Sequence, residues 1–200
     1  MTAAFDEFMR QHKMTGSEKA DGYSRDVFTG LDEHERGVVF ELLLNELPFS
    51  AEWLFLADPK KAVSVMKELE PEYRKDAYAH TYLIQQQLVR LCGDLSYQDH
   101  MIDDYPHYTD RLKQLVVSAV GGTPQNRKTL AFYKQVIMTE TNERAVAMAA
   151  SELLDIFKLP RATDEDKDGI RQLAYALRSD NTDLKLKALK RIEQHEANFA

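Results

Sequence analysis

Residues 31–47 read LDEHERGVVFELLLNEL and contain the features that decide the fold class. Asp32, Glu33 and Glu35 come first, and negative charge is favourable there because it complements the dipole at the start of a helix. The second half of the segment is apolar nearly all round, which is typical of a helix at the centre of a core. Pro48 then ends the pattern. We therefore predict a central helix over these residues.

Helical periodicity continues along the rest of the chain. Further helices are predicted most clearly over about residues 76–92, 107–120, 124–139, 142–157 and 181–196. No segment shows the period-two alternation or the hairpin turns that are typical of strands. We predict an all-α fold of about nine or ten helices in antiparallel pairs, stacked as a short solenoid or an irregular bundle.

Three local features give more specific predictions. Asp58 is expected to cap a helix that stops before Pro71, because proline cannot donate a backbone hydrogen bond. Ser96 is expected to cap a short helix that reaches Asp104. Cys92 follows the apolar residues of a predicted helix, so we interpret it as a small core residue.

The N-terminal region differs in composition from the rest of the chain. Residues 14–30 combine three glycines with many charged side chains, which is typical of a loop, either a lid or a simple connection. We therefore divide the chain into an N-terminal helix and loop, residues 1–30, and a single α-helical repeat domain, residues 31–200.

Pairs of predicted helices begin at intervals of about 40–48 residues, the spacing of two-helix solenoid repeats. Residues 177–194, LRSDNTDLKLKALKRIEQ, resemble a HEAT repeat, and residues 142–157, NERAVAMAASELLDIF, resemble its second helix. The positions that match the pattern of this family are Leu177, Asp180, Asn181, Lys187, Ala188, Leu189 and Ile192. The resemblance to HEAT/armadillo-like α-helical repeat proteins implies protein binding along a concave face.

Size, acidity and helical repeats together resemble a second class, the immunity proteins of bacterial toxin systems. This resemblance implies a bacterial protein that binds and inhibits a cognate toxin. It implies no enzymatic activity and no cofactor for the chain itself.

Charge and hydrophobicity restrict the class of partner. The formal net charge is −7, which disfavours direct nucleic-acid binding and favours a basic protein partner. The N-terminus lacks the basic and continuous apolar regions of a secretory signal, and the longest apolar run is too short to cross a bilayer. We expect a cytoplasmic protein with no membrane partner.

Residues 94–111, DLSYQDHMIDDYPHYTDR, are the candidate binding segment, with five aspartates, three tyrosines and one basic residue, Arg111. The candidate partner-binding residues are Tyr97, Asp99, His100, Asp103, Asp104, Tyr105, His107 and Tyr108. Tyrosine provides contact area together with a hydroxyl, and aspartate attracts basic partners. Asp103 and Asp104 also lie at a predicted helix C-terminus, where negative charge costs about 0.3–1 kcal/mol.

Two other interpretations of this segment remain open. It could be a solvated acidic connection between helices. It could also be the site of a metal-dependent hydrolase that uses the Asp/His cluster around 99–107, since carboxylate and imidazole groups together can hold a divalent metal ion. Asp99, His100, Asp103 and His107 are the candidate ligands, although Pro106 prevents all four from lying on one continuous helix.

Overall fold

The computed structural model describes residues 1–16, 22–76, 79–160 and 162–195. The helices that lie wholly within these ranges are α1 (Ala3–His12), α2 (Asp26–Thr29), α3 (Glu33–Leu44), α4 (Ala51–Ala57), α5 (Pro59–Tyr73), α6 (Thr81–Cys92), α7 (Ser96–Asp104), α8 (Asp110–Gly121), α9 (Arg127–Thr139), α10 (Glu143–Phe157), α11 (Asp164–Leu177) and α12 (Thr182–Ile192). A 3-10 turn, Tyr105–His107, joins α7 to α8.

The described residues contain no strand, so the all-α prediction is confirmed. They contain twelve α-helices, more than the predicted nine or ten, partly because α2 lies within the segment predicted as a loop. Residues 17–21 of that segment lie outside the described ranges.

The chain divides into two compact units, an N-terminal unit (Met1–Cys92) and a C-terminal unit (Gly93–Ala200). The division proposed from the sequence, residues 1–30 and 31–200, stays a prediction.

In the N-terminal unit, consecutive helices pack against one another from α3 to α6, and α1 packs against α2. The predicted central helix is α3, in which Val39, Phe40 and Leu43 are buried. A capping box begins it, since the Asp32 side chain accepts from the backbone of Glu35 and the Glu35 side chain accepts from the backbone of Asp32. The N-cap residue Asp32 and the first-turn residue Glu35 therefore fix where this helix begins.

In the C-terminal unit, α10 packs against α8, α9 and α11, and α12 packs against α11 and α9. Ala145, Ala149 and Ala150 are buried along α10, where small side chains leave room for neighbouring helices. Packing between chain neighbours is compatible with a helical repeat protein. The HEAT-like form of the repeat stays a prediction.

Three local predictions are wrong. Pro71 lies in the last turn of α5, which continues to Tyr73 although proline donates no backbone hydrogen bond there. Leu95, not Ser96, is the N-cap of α7. Cys92 is exposed, because it occupies the final position of α6, and Gly93, with a φ of 67°, turns the chain away immediately afterwards.

Candidate binding surface at α7

The predicted binding segment, residues 94–111, covers α7, the 3-10 turn and the start of α8. Asp94 organises its beginning, because its Oδ1 atom accepts hydrogen bonds from the backbone N–H of Ser96 (3.1 Å) and from its hydroxyl (2.7 Å). Gln98 and Met101 are the buried residues of α7. The helix therefore has an inner side defined by these two residues and an outer side that carries its charge.

Gln98 ties the inner side of α7 to the turn between α8 and α9. Its Nε2 atom donates to Oγ1 of Thr123 (2.6 Å) and to the carbonyl of Pro124 (2.8 Å), and its Oε1 atom accepts from Nδ2 of Asn126 (2.6 Å). Asn126 in turn caps α9. A buried amide with partners at both ends holds α7 in a fixed position.

Tyr105 ties the end of α7 to the turn between α9 and α10. Its hydroxyl donates to Oε2 of Glu140 (3.0 Å), and its ring packs edge-on against Phe132 with centroids 5.1 Å apart. The ammonium of Lys113 also binds Oε2 of Glu140 (3.0 Å) and lies 3.3 Å from Oδ1 of Asp110. These contacts join α8 and the α9–α10 turn around one carboxylate.

The Glu140 carboxylate is charged and nearly buried, with 8% of its side chain exposed. Its Oε1 atom accepts from the backbone N–H groups of Thr141 (2.8 Å) and Asn142 (3.0 Å). Burial alone would raise the pKa of Glu140, but the bonds from Asn142, Lys113, Tyr105 and Thr141 outweigh burial and lower that pKa to about 2. For Tyr105, burial and then the neighbouring Glu140 raise the pKa of the hydroxyl.

The three tyrosines of the segment occupy different environments. Tyr105 and Tyr108 each keep only 7% of their surface exposed, so they pack within the C-terminal unit. Tyr97 is half-buried on α7 and makes an edge-on contact with His100, with ring centroids 5.6 Å apart. The role of the three tyrosines as partner contacts stays a prediction. Tyr97 is the most exposed of the three.

The acidic residues also differ. Asp99 forms a salt bridge with Lys128 (2.5 Å), so part of its charge is balanced. Asp103 is exposed and forms no salt bridge with any residue in the described ranges. Asp104 and His100 are half-buried, and His107 is exposed. The outer side of α7 therefore carries negative charge that the unit itself leaves partly unbalanced.

The candidate metal ligands are not brought together. Within the part of the chain that the structure describes, no group of three or more His, Cys, Asp or Glu side chains is arranged to hold a metal ion. Asp99, His100, Asp103 and His107 form no such group.

Several residues that organise this region were missed by the sequence analysis. These are Gln98, Lys113, Asn126, Lys128 and Glu140. Only the asparagine carried a local signal, as a residue type suited to the start of a helix. The others act through partners that are distant in the sequence, which no local pattern identifies.

Comparison of the chain with protein-family models, with curated proteins and with solved structures gave no match. Within the described ranges, none of the helices combines the length and the apolar character needed to cross a lipid bilayer.

Proposed function

We propose that this protein binds a basic protein partner through the outer side of α7, and that it inhibits this partner as an immunity-type protein does. The α7 surface comprises Tyr97, His100, Asp103, Asp104 and His107. In this proposal the chain needs no catalysis, metal or cofactor of its own. The partner would be a bacterial toxin whose basic functional site α7 covers.

The observation that carries the proposal is the environment of Asp103. It is exposed in the last turn of α7, where a negative charge costs about 0.3–1 kcal/mol because it opposes the helix dipole. No cation in the described ranges forms a salt bridge with it. An exposed charge that has no salt-bridge partner in the described ranges, at a helix position where it costs stability, supports an electrostatic role in binding a partner.

The inner side of α7 supports the same proposal. Gln98 and Tyr105 hold the helix through hydrogen bonds to the α8–α9 and α9–α10 turns. The side chains of the α7 surface are therefore presented on a helix that is already positioned. A preorganised surface loses less conformational entropy when a partner binds.

The test uses the full-length protein as bait for proteins from the organism that encodes it, followed by titration against the captured partner. The test variant is Asp103→Lys/Asp104→Lys. The control is Glu68→Lys/Asp180→Lys, which changes the charge equally at exposed positions outside the α7 surface. We expect the test variant to weaken binding by about tenfold or more and the control to leave it nearly unchanged.

The thermal midpoints of the double variant and of the single variant Asp103→Lys separate lost binding from lost folding. Lysine at the exposed Asp103 position complements the dipole of α7, so the single variant is expected to have the same thermal midpoint as the unmodified protein or a higher one, and still to bind more weakly. Binding by the unmodified protein is expected to weaken as salt increases. A specific partner that binds both double variants equally would show that its contacts lie elsewhere.

A further inference from the structure

A salt bridge at the edge of the α7 surface connects α7 with the start of α9. The ammonium of Lys128 lies 2.5 Å from Oδ2 of Asp99, and 67% of the lysine side chain and 33% of the aspartate side chain are exposed. Asp99 lies one helical turn before Asp103, so the two carboxylates share a side of α7. The bridge therefore balances one of two neighbouring acids, and the other, Asp103, has no salt-bridge partner in the described ranges.

The position of Lys128 is unfavourable for the stability of its own helix. Arg127 and Lys128 are the first two residues of α9, and its first turn contains no acidic residue. Positive charge at the start of a helix opposes the helix dipole. A salt bridge between exposed side chains adds little stability in return. The stability of α9 therefore does not account for a lysine at this position.

The salt bridge is also not needed to hold α7 against α9. Asn126, two residues before Lys128, donates a hydrogen bond from Nδ2 to Oε1 of Gln98 (2.6 Å), and Gln98 is fully buried. This contact joins the same two helices from the inner side of α7, where a buried amide with partners at both ends is costly to separate. The bridge from Lys128 lies at the surface, where water and salt weaken it. Lys128 can therefore leave Asp99 without separating the two helices.

We infer that Lys128 withholds Asp99 from a basic partner and thereby limits the affinity of the α7 surface, an inference that rests on the proposed function. While the salt bridge is formed, a cation of the partner can pair with Asp103 but finds Asp99 already occupied. Lys128 also adds positive charge at the edge of a surface that attracts its partner by negative charge. Removal of this lysine makes a second carboxylate available one helical turn from the first. Lys128 is thus a residue that regulates the α7 surface.

The test titrates the full-length protein with hexalysine, a peptide with the positive charge that the proposed function assigns to the partner, at low ionic strength. The backbone amide resonances of α7, followed by NMR, report the binding. Lys128→Gln is expected to bind hexalysine about two- to fivefold more tightly than the unmodified protein, the range for one exposed salt bridge. The matched control is Arg127→Gln, which removes the same charge one residue away, at an exposed position with no salt bridge in the described ranges. This control should change the affinity much less.

A second substitution, Asp99→Asn, assigns the effect to the salt bridge. In the unmodified protein Lys128 already occupies the Asp99 carboxylate, so Asp99→Asn should weaken hexalysine binding only slightly. In the Lys128→Gln protein the same substitution should remove the gain in affinity, because the two changes act on one contact. Equal affinities of Lys128→Gln and Arg127→Gln would overturn the inference. An equal effect of Asp99→Asn in both backgrounds would also overturn it.

The variant Asp103→Lys/Asp104→Lys separates this inference from the proposed function. It should bind hexalysine about tenfold more weakly than the unmodified protein if the α7 surface attracts basic partners. Binding equal to that of the unmodified protein, or no shift of the α7 resonances in any variant, would reject both the α7 surface and the role of Lys128. Weaker binding by this variant, together with equal affinities of Lys128→Gln and Arg127→Gln, would reject the role of Lys128 alone.

Discussion

Tyr105 and Glu140 are 35 positions apart in the sequence and share a hydrogen bond of 3.0 Å between the phenol hydroxyl and Oε2. This bond connects the turn after α7 with the turn between α9 and α10. The same oxygen binds the ammonium of Lys113. One carboxylate therefore holds three separate parts of the C-terminal unit together, and its removal should be measurable as lost stability.

Glu140→Gln is expected to destabilise the protein by about 1.5–3 kcal/mol, the usual contribution of hydrogen bonds to a charged group. Tyr105→Phe removes a single hydroxyl and should cost about 1 kcal/mol. Urea unfolding followed by circular dichroism provides both values. The double variant should lose less than the sum of the two, because both changes remove the same bond. Strict additivity would contradict this account of the pair.

The lowered pKa of Glu140 predicts how stability depends on pH. A carboxyl whose pKa falls from an ordinary 4.5 to about 2 on folding stabilises the native state fully above the unfolded pKa and loses this contribution as pH falls towards 2. The stability difference between the unmodified protein and Glu140→Gln should therefore be constant above about pH 5 and shrink below it. Unfolding measurements at a series of pH values test this, and a difference independent of pH would contradict it.

Glu152 should behave in the opposite way. Burial, and then the charge of Asp155, raise its pKa. Ionisation of Glu152 is therefore less favourable in the native state, so its contribution to stability falls as pH rises above the ordinary carboxyl range. Glu152→Gln should become more stable relative to the unmodified protein from acidic to neutral pH. An opposite trend would show that this carboxyl is not desolvated in the native state.

Gly22→Ala is expected to be strongly destabilising. A φ of 75° costs a residue with a Cβ atom about 1–2 kcal/mol, and the new methyl group would meet the Trp53 ring at 2.7 Å. Gly37→Ala is the matched control, since Gly37 lies inside α3 with nothing within 4 Å of an added Cβ. It should stabilise the protein by about 0.5–1 kcal/mol, the propensity difference in a helix interior. Urea unfolding followed by Trp53 fluorescence measures both, and equal effects would contradict the prediction.

Lys185→Met is expected to cost about 1.5–3 kcal/mol, the contribution of a charged hydrogen bond. Lys185 is only 9% exposed, and its ammonium donates to the carbonyl of Ile137 (2.6 Å) in the last turn of α9. A positive charge at this end of a helix also complements its dipole. Lys187→Met, at an exposed position two residues on, should change stability by less than about 0.5 kcal/mol. Thermal unfolding distinguishes the two variants. Equal shifts in their thermal midpoints would argue against a stabilising bond from Lys185 to the Ile137 carbonyl.

The sequence was sufficient for the fold class because the signals for helices are local. Asp32 and Glu35 lie at the start of α3, where their negative charge predicts a helix N-terminus, and the alanines of α10 are buried as the apolar pattern requires. Cys92 shows the limit of the same reasoning. An apolar run predicts burial, but the last position of a helix is exposed when the chain turns away immediately after it.

The candidate site was less predictable because its chemistry depends on partners far along the chain. Tyrosine suits both a surface and a core, and Tyr105 is buried through contacts with residues far along the chain, Glu140 and Phe132. In the same way, Asp99 and Asp103 are both aspartates of α7, but of the two only Asp99 forms a salt bridge in the described ranges, with Lys128. Side chains of one residue type in one segment thus have different environments that periodicity does not distinguish.

The position of α10 has a consequence for the order in which the C-terminal unit forms. Because α10 packs against α8, α9 and α11, the two earlier helices lack most of their packing surface until α10 has been synthesised. Once α10 is present, its contacts with α9 and α11, the helices on either side of it in the sequence, close only short loops. Closing short loops costs little entropy, so these contacts can form rapidly. The refolding rate should consequently be most sensitive to substitutions in α10, whereas substitutions in α12 should mainly accelerate unfolding.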